Sequence, residues 1–353
     1  MKALRILSIG AGAIGTYIGG SLALLGHKVV FVERPQVVKE LQTHGLRISG
    51  VSANNESYTH QIAPEILSFF SSINAAVEHN EFDIALFALK SYDTPAFIAE
   101  LRGSMEDTHQ LPPFLCLSNG VANEPALAGV VGADNVIAGT VTSAIGRRDV
   151  GDILVERLRG VGIAATHPIS GQLDIAMNQA GLNTQLFSSA LDMKWSKMLT
   201  NLIANASSAI LDMTPSEIFQ NPKLYRVEIQ QLRETLAVMQ AQNINVVDLP
   251  GTPVRLFAFA VSKLPSKISR PFLRKAVGSG RGKKMPSFHI DLHSGRGKSE
   301  VEYLNGAVVQ AGQETRIPTP VNQVLNETLL KLTRGEISIS HFAHQPERLL
   351  AKL

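Results

Sequence analysis

Disulfides are the first thing this chain does without. Its 353 residues hold one cysteine, Cys116, so no intrachain bridge can staple the fold. The thiol sits in the apolar run Phe114-Leu115-Cys116-Leu117 and reads as a small buried hydrophobe. A reducing compartment, the cytoplasm, is the default that follows. There is no excess of charge of either sign. Lys and Arg number 33 against 30 Asp and Glu, a net +3, which is too weak a field to mark a nucleic-acid partner. A membrane span is missing too. The uncharged stretch from Ile6 to Gly26 follows Lys2 and Arg5 in the manner of a signal peptide. It contains Gly10, Gly12, Gly15, Gly19, Gly20 and Gly26 among Thr16, Tyr17 and Ser21, which makes it a poor spanning helix. No internal repeat or low-complexity tract is present, and no metal-ligand set is expected.

What the chain has is apolar material in an ordinary proportion, 44% hydrophobic against 18% charged, enough for a sizeable interior. Its length suggests about two domains. In the first third, short apolar runs alternate with amphipathic stretches. Ala3–Ile9, Lys28–Val32, Asp83–Leu89 and Phe114–Leu117 read as buried strands, and Ala13–Leu25 and Pro35–Thr43 as helices. Strand, helix, strand at this spacing means parallel βαβ units with helices on both faces. Thr140–Ile145, Ile153–Glu156 and Val161–Ala165 are short β-rich runs, expected to extend the sheet with antiparallel strands. After about residue 188 the texture is helical, over Asp192–Leu211, Pro222–Gln242, Ser299–Gln313 and Val321–Leu332. The fold class expected is α/β: an N-terminal Rossmann-type doubly wound sheet, residues 1–187, with a mostly α-helical C-terminal domain, residues 188–353.

Gly10-Ala11-Gly12-Ala13-Ile14-Gly15 is a G-x-G-x-x-G placed between a strand and a helix, the context that gives the pattern meaning. The first glycine permits the tight turn, the second lets backbone approach a pyrophosphate, and the third lets helix and strand pack closely. The phosphates then sit on the helix N-terminus. At the end of the second strand Glu33 stands 23 residues after Gly10, where an acid grips a ribose 2′-hydroxyl. Arg34 follows, where an arginine holds a 2′-phosphate. The two residues point to NAD and NADP respectively, and this reading leaves the choice open.

In Asp192–Leu211 the residues Lys197, Asn201, Asn205 and Ser208 share one helical face amid apolar neighbours. One alternative is a solvated surface face. Asn is a poor helix former, however, and two in mid-helix call for a reason. A lysine among amides on an apolar helix suits a proton donor to a carbonyl oxygen.

The pattern W-x-K-x-x-x-N-x-x-x-N, from Trp195 through Lys197 and Asn201 to Asn205, resembles that of the ketopantoate reductases (2-dehydropantoate 2-reductases). Four more segments agree in the family's order: the glycine loop, Leu89-Lys90-Ser91-Tyr92, Ser118-Asn119-Gly120, and the run from Glu300 to Gly306. The resemblance covers about residues 4 to 335. It implies an active site in the cleft between the two domains. It also implies hydride transfer from NADPH to the ketone of 2-dehydropantoate, giving (R)-pantoate for pantothenate and coenzyme A synthesis. Lys197 matches the family's general acid, and Asn201 and Asn205 its substrate-binding amides. Glu300 matches the acid that bonds the substrate hydroxyl, and Ser287 the serine near the carboxylate. Asn119 matches the asparagine between cofactor and substrate. Arg34 and Lys90 match residues at the adenosine phosphate, which favours NADP with Glu33 turned away. Glu33 departs from the family's pattern and keeps NAD open.

One stretch departs further. Between Asp248 and Asp291 there is no acid, but Arg255, Lys263, Lys267, Arg270, Arg274, Lys275, Arg281, Lys283 and Lys284 occur, mixed with Leu256, Phe257, Phe259, Val261, Phe272 and Leu273. It reads as a membrane-surface helix, as a lid or dimer contact that draws anions inward, or as a solvated insertion. The partners expected are a small 2-oxo acid and, as an open option, a second copy of the chain in a homodimer. Neither nucleic acid nor a membrane is expected. A reductase of another 2-oxo acid or an imine keeps the same fold and chemistry. A non-catalytic dinucleotide sensor keeps only the fold, and would have no use for Lys197 and its amides.

Overall fold

The structure is a computed structural model that describes residues 2–51, 56–105, 108, 111–265, 268–271, 273–275 and 284–353. The chain divides into two compact units. One comprises Met1–Ser118, Ala122–Lys194 and Leu249–Thr252; the other comprises Asn119–Val121, Trp195–Asp248 and Pro253–Leu353.

The first unit opens with β1 (Arg5–Ile9), α1 (Ala13–Leu24), β2 (Lys28–Val32) and α2 (Pro35–His44), then β3 (Leu46–Val51), β4 (Ser57–Ile62) and β5 (Ser68–Phe70). It continues with α3 (Ile73–His79), β6 (Ile84–Phe87), α4 (Thr94–Ser104), β7 (Phe114–Cys116) and α5 (Asn123–Val131). It ends with β8 (Val136–Val141), β9 (Ala144–Asp149), β10 (Asp152–Arg157), β11 (Val161–Ala164), α6 (Ser170–Gln179) and β12 (Thr184–Phe187). Eight strands form one sheet in the order β12-β11-β8-β7-β6-β1-β2-β5. Its six strands β5, β2, β1, β6, β7 and β8 are mutually parallel and, ranked along the chain, run 3-2-1-4-5-6, the order of a dinucleotide-binding sheet. β6 and β7 are buried throughout, which is why they read as unbroken apolar runs. Leu7, Ile9, Phe87, Phe97, Phe114 and Cys116 share one core.

The expected antiparallel extension holds only at the far edge, where β11 runs antiparallel to β8. The run Thr140–Ile145 is divided between β8 and β9, and β9 and β10 leave the main sheet. They join β3 and β4 in a second sheet of order β4-β3-β10-β9. Helix α1 lies between the two sheets. A Cβ on Gly19 would meet Phe31 of β2 at 2.8 Å, and one on Gly20 would meet Ile48 of β3 at 2.9 Å. Two of the glycines that make this segment a poor membrane span, Gly19 and Gly20, are therefore residues that let the helix pack on both sides. Among the described residues no helix is long and apolar enough to cross a membrane.

The second unit is helical: α7 (Ala190–Leu202), α8 (Asn205–Leu211), α9 (Pro215–Gln220), α10 (Pro222–Ala241), α11 (Val254–Lys263), α12 (Ser287–His293), α13 (Val301–Thr315), α14 (Pro320–Thr333) and α15 (Pro346–Leu350). The unit boundary falls inside α7, after Lys194. The helix expected over Asp192–Leu211 is in fact two, because Ala204 adopts a left-handed conformation (φ 48). The amide freed at the break is bound by buried Glu228 of α10, whose Oε2 accepts from Ala204 N at 2.7 Å and whose Oε1 accepts from Ser207 at 2.6 Å. Along the same helix Glu234 accepts from the amides of Val321 and Asn322, capping α14. Gln231 links Asn305 and Asn322 to α10 through further buried hydrogen bonds. In the basic stretch, Arg270 donates to the Gln220 carbonyl, and Leu256 and Phe259 are exposed on α11. Lys267, Phe272, Arg281 and Lys283 lie outside the described residues.

Candidate active site

In the first unit, β1 pairs Ile9 with Val32 on one side and with Phe87 on the other, and Phe87 pairs with Cys116. The carboxyl ends of β1, β2, β6 and β7 are thus level, at the point where the strand order reverses. Everything expected to hold a dinucleotide in this unit follows one of these ends: Gly10–Gly15 after β1, Glu33 and Arg34 after β2, Lys90 after β6. Ser118, after β7, donates to the Leu89 carbonyl at 2.7 Å and ties two of the ends together.

Each glycine of the loop has its own reason. Gly10 has φ +94, a left-handed turn that its amide closes on the Val32 carbonyl at 3.0 Å. A Cβ on Gly15 would stand 1.8 Å from the Gly10 carbonyl oxygen, so no larger residue fits where helix meets loop. A Cβ on Gly12 would meet nothing within 4 Å: the space in front of the helix start is open. Helix α1 begins there with no side-chain cap and no acid in its first turn. The amides of its first turn, from Ala13 and Ile14 onward, have no intrahelical acceptor. A bare, positively polarised helix end facing open space fits a pyrophosphate.

Glu33 is held against the glycine loop. Its Oε1 accepts from Ala11 N at 3.2 Å, inside the glycine loop, and its Oε2 accepts from Arg34 N at 3.0 Å. Its side chain is only 15% exposed, while that of Arg34 is 75% exposed with Nε 3.7 Å from Glu33 Oε2. The physical reason is local: a loop amide with no backbone acceptor finds a carboxylate, and the arginine beside it offsets the charge.

The second unit gathers most of the other expected residues. Asn119, in the short segment Asn119–Val121, accepts at Oδ1 from Asn201 Nδ2 at 3.0 Å and donates through Nδ2 to Glu300 Oε2 at 3.5 Å. Asn205 donates to the Asn201 carbonyl at 3.0 Å and to Ser287 Oγ at 3.3 Å, and accepts from Phe288 N at 3.0 Å. Asn201, Asn205 and Glu300 are buried, Asn119 and Lys197 half-buried, Ser287 exposed. Gly120 is needed beside Asn119, since φ is +83 and a Cβ would lie 2.6 Å from the Tyr303 carbonyl oxygen. Lys197 stands one turn before Asn201 on α7, among buried Trp195, Met198 and Leu199. The break at Ala204 alters the expected stripe. Lys197 and Asn201 lie on α7, Asn205 opens α8, and Ser208 is buried with no hydrogen-bond partner for its hydroxyl among the described residues.

Two positions at the sheet edge escaped the sequence reading. Lys194, 5% exposed, donates from Nζ to the Ser118 carbonyl at 2.7 Å and pairs with Glu124 at 2.6 Å. Asn123 accepts from Thr94 at 2.7 Å and donates to Ser91 at 3.2 Å, fixing the starts of α4 and α5. A charge between Met193 and Trp195 was a signal available for Lys194. Nothing in the spacing marks Asn123.

A glycine loop with open space before its helix, at the switch point of such a sheet, defines a Rossmann-class dinucleotide-binding protein. Residues 6–165 match the family described as Ketopantoate reductase PanE/ApbA, and residues 189–332 match Ketopantoate reductase PanE/ApbA C terminal. The chain belongs to the ketopantoate reductase family of oxidoreductases. It is similar to the 2-dehydropantoate 2-reductase of Halobacterium salinarum, with 26% identity over 94% of this chain and 100% of that one. The same enzyme of Archaeoglobus fulgidus is also 26% identical, over 95% and 98%. Among solved structures, a PanE/ApbA family ketopantoate reductase from Ralstonia eutropha superposes with a TM-score of 0.76 at 24% identity, covering 94% and 99% of the two chains. D-mandelate dehydrogenase with NADH and anilino(oxo)acetate superposes at 0.73 with 17% identity over 94% and 99%, a likeness of fold.

Proposed function

We propose that this chain reduces a small 2-oxo acid, 2-dehydropantoate foremost, to the 2-hydroxy acid, (R)-pantoate, with NADPH as donor. The dinucleotide is assigned to residues 1–187 and the substrate to residues 188–353 together with Asn119. The observation that carries the reading is the hydrogen-bonded array of Asn119 with Asn201 and Glu300, and of Asn205 with Ser287, one turn from Lys197. Relatives named 2-dehydropantoate 2-reductase, 20 to 26% identical along almost the whole chain, support the substrate.

The reaction adds two electrons and two protons' worth of hydrogen to a ketone. When bound, the reduced nicotinamide supplies the hydride to the carbonyl carbon. The oxygen then gathers charge that an apolar surround cannot bear, and Lys197 Nζ gives it a proton, converting alkoxide to hydroxyl. Asn201 and Asn205 orient the substrate. Ser287 holds its carboxylate, and Glu300 accepts from its 4-hydroxyl. Arg34 and Lys90 hold the adenosine 2′-phosphate.

A second reading of the cofactor has its own observation. Glu33, bonded to the Ala11 amide, sits where a carboxylate meets a ribose 2′-hydroxyl and repels a 2′-phosphate, which favours NADH. One experiment tests substrate and cofactor together: initial rates with NADPH and with NADH across a panel of 2-oxo acids. The reading expects 2-dehydropantoate with NADPH to give the highest kcat/KM. A panel in which another 2-oxo acid leads transfers the substrate, and no turnover with any of them leaves a sensor.

A further inference from the structure

A second cluster of chemistry-bearing side chains lies at the other end of α8, and the reductase reading makes no use of it. Asp212 follows α8 in the left-handed region (φ 50), and its Oδ1 is 2.7 Å from Nε2 of His289 on α12. His293 comes one turn later on α12, and the centroids of the two imidazole rings are 4.0 Å apart. Asp212, His289 and His293 each offer one ligand atom, and these atoms all lie within 4.8 Å of one another. His344 also has a left-handed backbone (φ 54), pinned by its amide to the Leu211 carbonyl at 2.7 Å. Its Nε2 is 3.9 Å from the other oxygen of Asp212.

An aspartate–histidine pair needs one imidazole. Two more histidines directed at the same carboxylate gain little from that pair, and any two of them protonated together repel. A divalent cation reverses this balance, because neutral imidazoles become ligands. Histidines at i and i+4 present both rings on one helical face, the spacing by which helices grip zinc. Zinc bonds of about 2.0–2.2 Å place tetrahedral ligand atoms roughly 3.4 Å apart. The cluster is already near that size, and the exposed His293 can close the remainder by side-chain rotation. Two nitrogens and one oxygen, without a thiolate, suit Zn²⁺ better than copper(I) or an all-oxygen ion such as Ca²⁺.

We propose that Asp212, His289 and His293 form a zinc site, with His344 in reach as a fourth donor. Sequence spacing alone expects no metal here, since Asp212 and His289 are far apart along the chain. The ion would clasp the end of α8 to α12 and to the segment before α15. It would reinforce the same two helices that Asn205 and Ser287 join at their other ends.

The test uses the untagged full chain, freed of metal with a chelator and titrated with Co²⁺ as a visible probe, then with Zn²⁺ as competitor. The wild type should bind one equivalent of Co²⁺ with the strong visible absorption of a four-coordinate ion, and Zn²⁺ should displace it. Zn²⁺ should also raise the melting temperature. His293→Ala and Asp212→Asn should each weaken binding at least ~10-fold and abolish that rise. His293 is exposed, and asparagine tolerates a left-handed backbone, so both variants should fold. Absence of the spectrum in the wild type, or equal affinity in wild type and His293→Ala, would overturn the proposal. Neither readout depends on the reductase activity.

Discussion

A carboxylate at 1% exposure has lost nearly all its water, and Glu300 is in that position with an amide of Asn119 at 3.5 Å. The proposed function makes Glu300 the acceptor for a substrate hydroxyl, and a buried site that selects a hydroxyl discriminates strongly against an analogue lacking it. The wild type should therefore prefer a 4-hydroxy-2-oxo acid to its 4-deoxy analogue on the order of 10²-fold or more in kcat/KM. Glu300→Ala should erase most of that preference, as steady-state kinetics on the two acids would show. Equal use of both acids by the wild type would remove 2-dehydropantoate as the substrate. The proposed NADPH reading places the choice of cofactor on Arg34. Arg34→Ala should raise KM for NADPH about 10-fold or more and leave KM for NADH nearly unchanged, through loss of one charged contact to phosphate. An unmodified protein that already works better with NADH would mean that Glu33 governs the choice.

At the scale of elements, what was legible depended on distance along the chain. The glycine loop was legible because its three glycines and the helix start fall within six consecutive residues. The break at Ala204 was not, since the group that receives its amide is Glu228, 24 residues on. The second sheet was also hidden: β4 is Ser-Tyr-Thr-His-Gln-Ile with only Ile62 buried, so no apolar run announced it. A similar long-range device anchors the first strand. His27, between α1 and β2, accepts at Nδ1 from the Leu4 amide at 2.9 Å, just ahead of β1. Burial holds its pKa below the ordinary histidine value. A histidine kept neutral by the fold contributes stability that is fully present above its unfolded pKa of about 6.5 and is lost as pH falls through the lower folded value. Melting temperature should thus fall as pH drops from neutral through that range. His27→Asn, whose side-chain oxygen can keep the acceptor, should flatten part of the fall. Identical pH profiles for the two proteins would show that His27 does not carry it.

At the scale of the whole molecule, the change of fold class was legible from the change of texture near residue 188, strands before and helices after. The sheet order and the helical second unit agree with it. The near-neutral charge bears on the proposed function. That proposal leaves recognition of an anionic dinucleotide and a 2-oxo acid to a helix end and a few placed side chains rather than to a large net positive charge. Lys194 and Lys197 illustrate how one helix serves two ends. Lys194 is consumed by Ser118 and Glu124 in the first unit, and Lys197 stands with the amides of the second. As the proposed proton donor, Lys197 acts on the chemical step and not on binding of the dinucleotide. The most direct measurement is the turnover of Lys197→Ala with 2-dehydropantoate and NADPH, beside its NADPH affinity. The account predicts a kcat lower by ~10²-fold or more, the loss typical of a removed general acid, with NADPH affinity unchanged. Turnover near that of the wild type would contradict it.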